Sequence, residues 1–348
     1  MKILIVGPSW IGDMVMSQSL YKTLKSQHPS STIDVLAPNW CKPILDRMPE
    51  VNKAISMPLG HGEVDLYRRF QIGKALREEQ YNKAYILPNS MKSALIPWFA
   101  NIQSRTGWKG EMRYGLLNDL RSNKKSFQYM LERYVALAYP KHEMINSSSL
   151  GGIEILPYPI LTVDTQSQAN CLKKFSLKLE KPVVGLCPGA EFGPAKQWPP
   201  EHYAKIAEDM IRLGYQVWLF GSGKDKDTTN KIVSVTSEKC KKELFNLAGN
   251  TSLVEAIDLL SACSTVVSND SGLMHIAAAV GCNVVAVYGS TSPEYTPPLA
   301  KNVEVVHTDI ECRPCFKREC QYKHLKCLKE LFPRQVLQSI KKLESIEL

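Results

Sequence analysis

The 348-residue chain has no apolar run near the roughly 18 residues that cross a bilayer, no sequence repeat and no low-complexity tract. Its opening apolar run, Ile3–Val6, is too short for a secretory leader, so the sequence is expected to act in the cytoplasm. Glycine is scarce where a dinucleotide fold would need it. The opening segment "KILIVGPSWIGDM" offers Gly7 and Gly12 without the third glycine of G-x-G-x-x-G, and Asp34, the acid about 20 residues on, falls inside its strand. These gaps weigh against a nicotinamide oxidoreductase or a sugar epimerase. No G-x-S-x-G elbow accompanies any Ser/His/Asp grouping, which weighs against a hydrolase.

Acidic residues are the minority, 34 against 43 Lys and Arg, for a net charge of +9. The excess is local. Residues 91–125 hold seven Lys/Arg against two acids, and residues 310–348 hold nine against five. Such windows suit an anionic ligand or an anionic surface, while solvated helix faces are the bland alternative. A nucleic-acid module would leave some 300 residues of α/β pattern without a role, so no nucleic-acid partner is expected. With 44% hydrophobic and 22% charged residues, the chain has ordinary globular composition and enough length for two domains.

Apolar runs that end in glycine or polar turns alternate with helical periodicity. Strands are expected at 2–7, 32–38 and 83–89, and again at 182–189, 216–222, 244–249, 264–270, 284–290 and 303–308. The alternation predicts an α/β chain of two Rossmann-like, doubly wound domains. The first is expected over 1–165, including a Ser/Gly/Pro-rich linker from about 140. The second is expected over 166–332, with an amphipathic closing helix over 333–348.

In open α/β sheets ligands bind at the carboxyl ends of strands, and several such turns are chemically unusual. "CPGAEFGPAKQWPPEHY" (187–203) sets glycines and Lys196 before a helix start, which suits a diphosphate; an ordinary surface lysine is the alternative. "SNDSGLMHIAAAVG" (268–281) places Asp270, Ser271 and Gly272 at a turn and His275 on a helix of small residues. Asp270 or Ser271 could simply cap that helix, and its N-terminus would also attract an anion. In "FGSGKDKD" (220–227), Lys224 and Lys226 oppose a cation, so Asp225 is better read as gripping a ribose hydroxyl. Asp13 opens the first helix. There it either favours the helix dipole or, aimed into a cleft, serves as a general base.

"KILIVGPSWIGDMVMSQSLYKTL", "MPLGHG" (57–62), "LPNSMKSAL" (87–95), "RTGWKGEMRYGLLND" (105–119), "CPGAEFGPAKQWP", "LFGS", "NDSGLMHIAAA" and "YGSTSPEYTPPL" (288–299) follow one another from residue 2 to about 300. In that order they resemble the lipopolysaccharide heptosyltransferases. The resemblance implies a GT-B architecture, two Rossmann-like domains facing a central cleft. It implies inverting transfer of L-glycero-D-manno-heptose from ADP-heptose to the first heptose of the lipopolysaccharide inner core, heptosyl-Kdo2-lipid A. Transfer to Kdo-lipid A, as by a heptosyltransferase I, is the neighbouring alternative. By the family pattern Asp13 is the catalytic base. Lys196, Asp270, Ser271, Gly272 and His275 take the donor, with Asp225 on its ribose. Gly12, Lys92, Arg105 and Arg113 are the expected acceptor contacts. The implied setting is the cytoplasmic face of the inner membrane, with peripheral contact to it, and the implied chemistry needs no cofactor.

The ten cysteines carry no secretion context and are expected reduced. Four of them, Cys312, Cys315, Cys320 and Cys327, gather around His324 in "CRPCFKRECQYKHLKC". A structural zinc, free thiols or an oxidised pair all remain open for that cluster.

Overall fold

The computed structural model describes residues 1–60 and 62–346. His61 of the "MPLGHG" segment and the last two residues of the expected 333–348 helix lie outside the described residues. The chain divides into two compact units, Met1–Pro159 and Ile160–Leu348.

The first unit is built on parallel strands β1 (Lys2–Val6), β2 (Thr32–Ala37), β3 (Val51–Ser56), β4 (Lys83–Ile86), β5 (Ser104–Trp108) and β6 (Asp119–Arg121). Their order is β3-β2-β1-β4-β5-β6. Strand β1 lies between β2 and β4, with Lys2 opposite Thr32 and Ile3 opposite Lys83. That central position explains its unbroken Ile-Leu-Ile-Val run, at most 2% exposed. Strands β3, β5 and β6 were not expected from sequence. β3 carries Asn52 and Lys53 on a half-exposed strand at the edge of the sheet, β5 contains Gly107, and β6 has three residues, so none reads as an apolar run.

The second unit repeats the arrangement with β7 (Val183–Cys187), β8 (Gln216–Leu219), β9 (Leu244–Asn246), β10 (Thr265–Asn269), β11 (Asn283–Val287) and β12 (Val303–Val306). The order is β12-β11-β10-β7-β8-β9, and every expected strand of this half is present. It starts earlier than residue 166. The Leu161 amide donates to the Ala279 carbonyl at 2.9 Å, and Asp164 caps helix Thr165–Lys174 while its own amide donates to Asp258. Nor does the closing helix, Pro333–Leu343, form a separate piece. Its Val336 and Ile340 are fully buried in the core that holds Trp198, Tyr203 and Met210.

In both units the strand order reverses beside the first strand, between β1 and β4 and between β7 and β10. The strand ends at these switch points diverge and leave a crevice. Both candidate sites lie there.

Candidate active site

In the first unit, β1 hands over to Gly7, Pro8 and Ser9 before helix Ile11–Gln27. The chain passes closely under the sheet at Gly7, where a Cβ would come within 2.8 Å of Met14 and 3.2 Å of Val35. The Trp40 indole N–H donates to the Ser9 carbonyl at 2.9 Å and fixes the loop. Asp13 therefore stands in the first helical turn, on a cavity of about 490 Å³ that the ends of β1 and β4 also line. Cys41 lies close by; burial, and secondarily the Asp13 charge, push its thiol up to about 12. It is a buried, neutral thiol, not a nucleophile.

The expected acceptor residues separate. Lys92 lines this cavity; Gly12 is in the same turn as Asp13 but outside the cavity wall. Arg105 and Arg113 both turn their guanidinium groups to the protein's own backbone. Arg113 is 1% exposed and binds the Trp108 and Pro88 carbonyls, so burial lowers it to about 10. Arg105 donates to the Leu116 and Ile102 carbonyls. Both fit loops that would otherwise leave carbonyls unpaired. The cavity draws instead on two residues the sequence reading left without individual roles. Arg69, itself 4% exposed, bridges the Val64 and Glu63 carbonyls to that of Lys92. The half-buried Lys124 ammonium faces the cavity, lowered by desolvation and by the nearby Arg133 and Arg113 charges.

In the second unit the ends of β7 and β10 are joined by a buried amide. The Asn269 side chain accepts from the Trp198 amide at 3.1 Å and the Tyr203 hydroxyl at 3.0 Å, and donates to the Pro188 carbonyl at 2.6 Å. This positions Lys196, whose ammonium lies 2.6 Å from Asp270 Oδ2 and 4.9 Å from the Phe192 ring centre. Asp270 also accepts from the Thr291 hydroxyl at 2.6 Å. Neither Asp270 nor Ser271 caps helix Gly272–Ala279 with its side chain, so the capping alternative falls away and the first-turn amides stay open to an anion.

His275, in that first turn, is 5% exposed. Burial depresses it to about 4; Asp270 opposes the shift and Lys196 adds to it. It is therefore a neutral imidazole near pH 7, able to donate one hydrogen bond but not a charge. Asp225 reaches the same loop from β8. A Cβ on Gly189 would come within 2.5 Å of its carboxylate, one oxygen of which holds the Ser222 amide and hydroxyl at 2.8 Å each.

The zinc expectation is not supported. Among the described residues no three His, Cys, Asp or Glu side chains are grouped to hold a metal ion. Cys327 is buried, whereas Cys320 sits beside His324 with its sulfur 3.9 Å from Nδ1. All ten cysteines are free thiols, so the oxidised pair is also absent.

A doubly wound sheet used twice, with a carboxylate at one switch point and an anion-receptive turn at the other, is the fold of GT-B glycosyltransferases. The solved structure of Escherichia coli ADP-heptose LPS heptosyltransferase II superposes with a TM-score of 0.88 at 47% identity, covering 99% of this chain and 98% of that one. Lipooligosaccharide heptosyltransferase 2 of Haemophilus influenzae is 56% identical over 88% of both chains. Lipopolysaccharide heptosyltransferase 2 of E. coli K12 is 49% identical over 98% of this chain and 97% of its own length. A model of glycosyltransferase family 9 (heptosyltransferase) matches residues 69–326. The chain belongs to glycosyltransferase family 9. It is a heptosyltransferase of the lipopolysaccharide inner core, and the shared name of these relatives does not favour the heptosyltransferase I alternative.

Proposed function

We propose that the donor is ADP-heptose, that the acceptor is the first heptose of the inner core on heptosyl-Kdo2-lipid A, and that the two units divide the reaction. In the first unit Asp13 takes the proton from the acceptor hydroxyl, whose oxygen then attacks the anomeric carbon. The bond from that carbon to the diphosphate oxygen breaks with its electron pair, ADP leaves, and the configuration inverts. Each electron pair moves within this displacement, which asks for no redox cofactor.

Departure of ADP places negative charge on the diphosphate, and the second unit supplies the compensation. Lys196 provides the positive charge, the open amides at Ser271 and Gly272 provide aligned dipoles, and neutral His275 provides one further N–H. Asp225 accepts from a ribose hydroxyl. Lys92 and Lys124 receive the anionic groups of the acceptor. The observation that carries this reading is the position of Asp13 on the cavity at the end of β1, among cations and open backbone.

Because the acceptor is anchored in lipid, the enzyme works at the cytoplasmic face of the inner membrane. The contact proposed is peripheral; among the described residues no helix is long and apolar enough to cross a membrane. The test is incubation of purified protein with ADP-heptose and core acceptor bearing one heptose, following ADP release. Release only with heptose-free acceptor, or none with either, overturns the assignment.

A further inference from the structure

The segment that carries the four clustered cysteines, residues 310–327, is stitched to both loops of the proposed donor site. The Ala195 amide donates to the Arg318 carbonyl at 3.0 Å, and the Phe316 amide donates to the Ser290 carbonyl at 2.8 Å. Arg313 donates through Nε to the Gly289 carbonyl at 2.8 Å and through Nη2 to that of Thr291 at 3.2 Å. At Gly193 the two stretches pass so closely that a Cβ would come within 2.6 Å of the Arg318 carbonyl oxygen. Only glycine permits that approach. The cysteines are free thiols, so backbone bonds and not sulfur bridges tie the segment to the loops.

This attachment brings Arg318 beside Lys196. Its guanidinium carbon lies 5.4 Å from the centre of the Phe192 ring, and the Lys196 ammonium lies 4.9 Å from the same centre, so one ring braces both cations. Arg313 turns its N–H groups to carbonyls, but Arg318 is exposed. Among the described residues no carboxylate pairs with its guanidinium.

The other charged side chains of the turn largely cancel. Lys196 is paired with Asp270, Lys224 with Glu191, and His275 is neutral near pH 7. Asp225 adds a carboxylate against Gly189. A leaving diphosphate gathers negative charge, and a lysine already matched by an aspartate supplies little net compensation.

We propose that Arg318 is a second cation of the donor site, its guanidinium contacting the diphosphate of the nucleotide sugar and of the departing ADP beside Lys196. A planar fork can take two phosphate oxygens at once, where the lysine offers a point charge shared with Asp270. The inference rests on the assignment of the β7 and β10 turns to the donor. It gives residues 310–327 a task, which is to carry one uncompensated charge to that turn.

The test is isothermal titration of the full chain with ADP and, at higher concentration, adenosine. Arg318→Gln keeps the backbone carbonyl that Ala195 uses, so its thermal midpoint should match the parent's. It should bind ADP about tenfold more weakly, and Arg318→Lys should regain part of that loss. Adenosine, which has no phosphate, should bind the parent and Arg318→Gln alike. The parent's ADP affinity should also fall more steeply with salt than the variant's. Equal ADP affinity in parent and Arg318→Gln, with Lys196→Ala weakened, overturns the proposal and leaves the donor assignment standing. An equal loss for adenosine also overturns it, because the side chain would then act through the loop and not on phosphate. If neither Arg318→Gln nor Lys196→Ala changes ADP binding, the donor assignment of the turn falls and the proposal falls with it.

Discussion

Lys196 and Asp270 form a nearly buried ion pair, 2.6 Å from nitrogen to oxygen, at the point where β7 and β10 part. Such a pair stores charge where water is scarce, and removing one member leaves the other uncompensated. Lys196→Ala should raise the donor KM by about 10–100-fold, the scale of one charge-assisted contact to a diphosphate. Isothermal titration with ADP should show the same loss, and an unchanged ADP affinity would remove Lys196 from the donor site.

Asp13→Asn should lower kcat by about 10²–10⁴-fold, the usual contribution of a positioned general base. ADP affinity should stay within about twofold, because the proposed donor contacts lie in the other unit. Single-turnover kinetics with titrated ADP separates the two quantities. Much weaker ADP binding in this variant would sink the division of labour.

His275 makes the fold acid-sensitive over a defined window. Its imidazole titrates at about 4 in the folded chain and near 6.5 when unfolded. Between those values the unfolded chain holds a proton that the folded chain lacks. Stability from this site is therefore complete above about pH 6.5 and is lost as pH falls towards 4, by about 3 kcal/mol in all. Denaturant unfolding at stepped pH should show a shallower acid limb in His275→Gln than in the parent.

Arg113 and Lys124 should respond in opposite ways. Arg113→Lys cannot span the Trp108 and Pro88 carbonyls with a planar fork, and should cost about 2–4 kcal/mol of stability in urea. Lys124→Ala should leave the melting temperature nearly unchanged and raise the acceptor KM about tenfold. A stable Arg113→Lys variant with poor acceptor binding would return that arginine to the acceptor.

The second unit was almost fully legible in the sequence because its strands are apolar runs covered on both faces, as β7 and β10 show. The first unit was legible only at β1, β2 and β4. Its outer strands mix Lys53, Arg105 and Asp119 into short segments, so periodicity had little to register. The loops that carry Lys196 and His275 were legible because glycine and small residues announce tight turns around them. The arginines are hard to read for a physical reason: a guanidinium is as suited to a row of backbone carbonyls as to a ligand anion, and sequence does not say which it meets. Arg69, Arg105, Arg113 and Arg121 all bind carbonyls inside the first unit. Asn269 passed unnoticed because nothing in "VVSND" distinguishes a cross-tie from a strand end.

That asparagine couples two properties usually tuned apart. Its one side chain holds the Trp198 amide, the Tyr203 hydroxyl and the Pro188 carbonyl, so the proposed donor loop is fastened to the core before any nucleotide arrives. A loop set in advance spends little of its binding energy on ordering. It also has no slack, since an isosteric leucine would orphan the buried Trp198 amide and Pro188 carbonyl and leave the Tyr203 hydroxyl only the Cys187 carbonyl at 3.3 Å. At this position donor affinity and the integrity of the second unit would fall together.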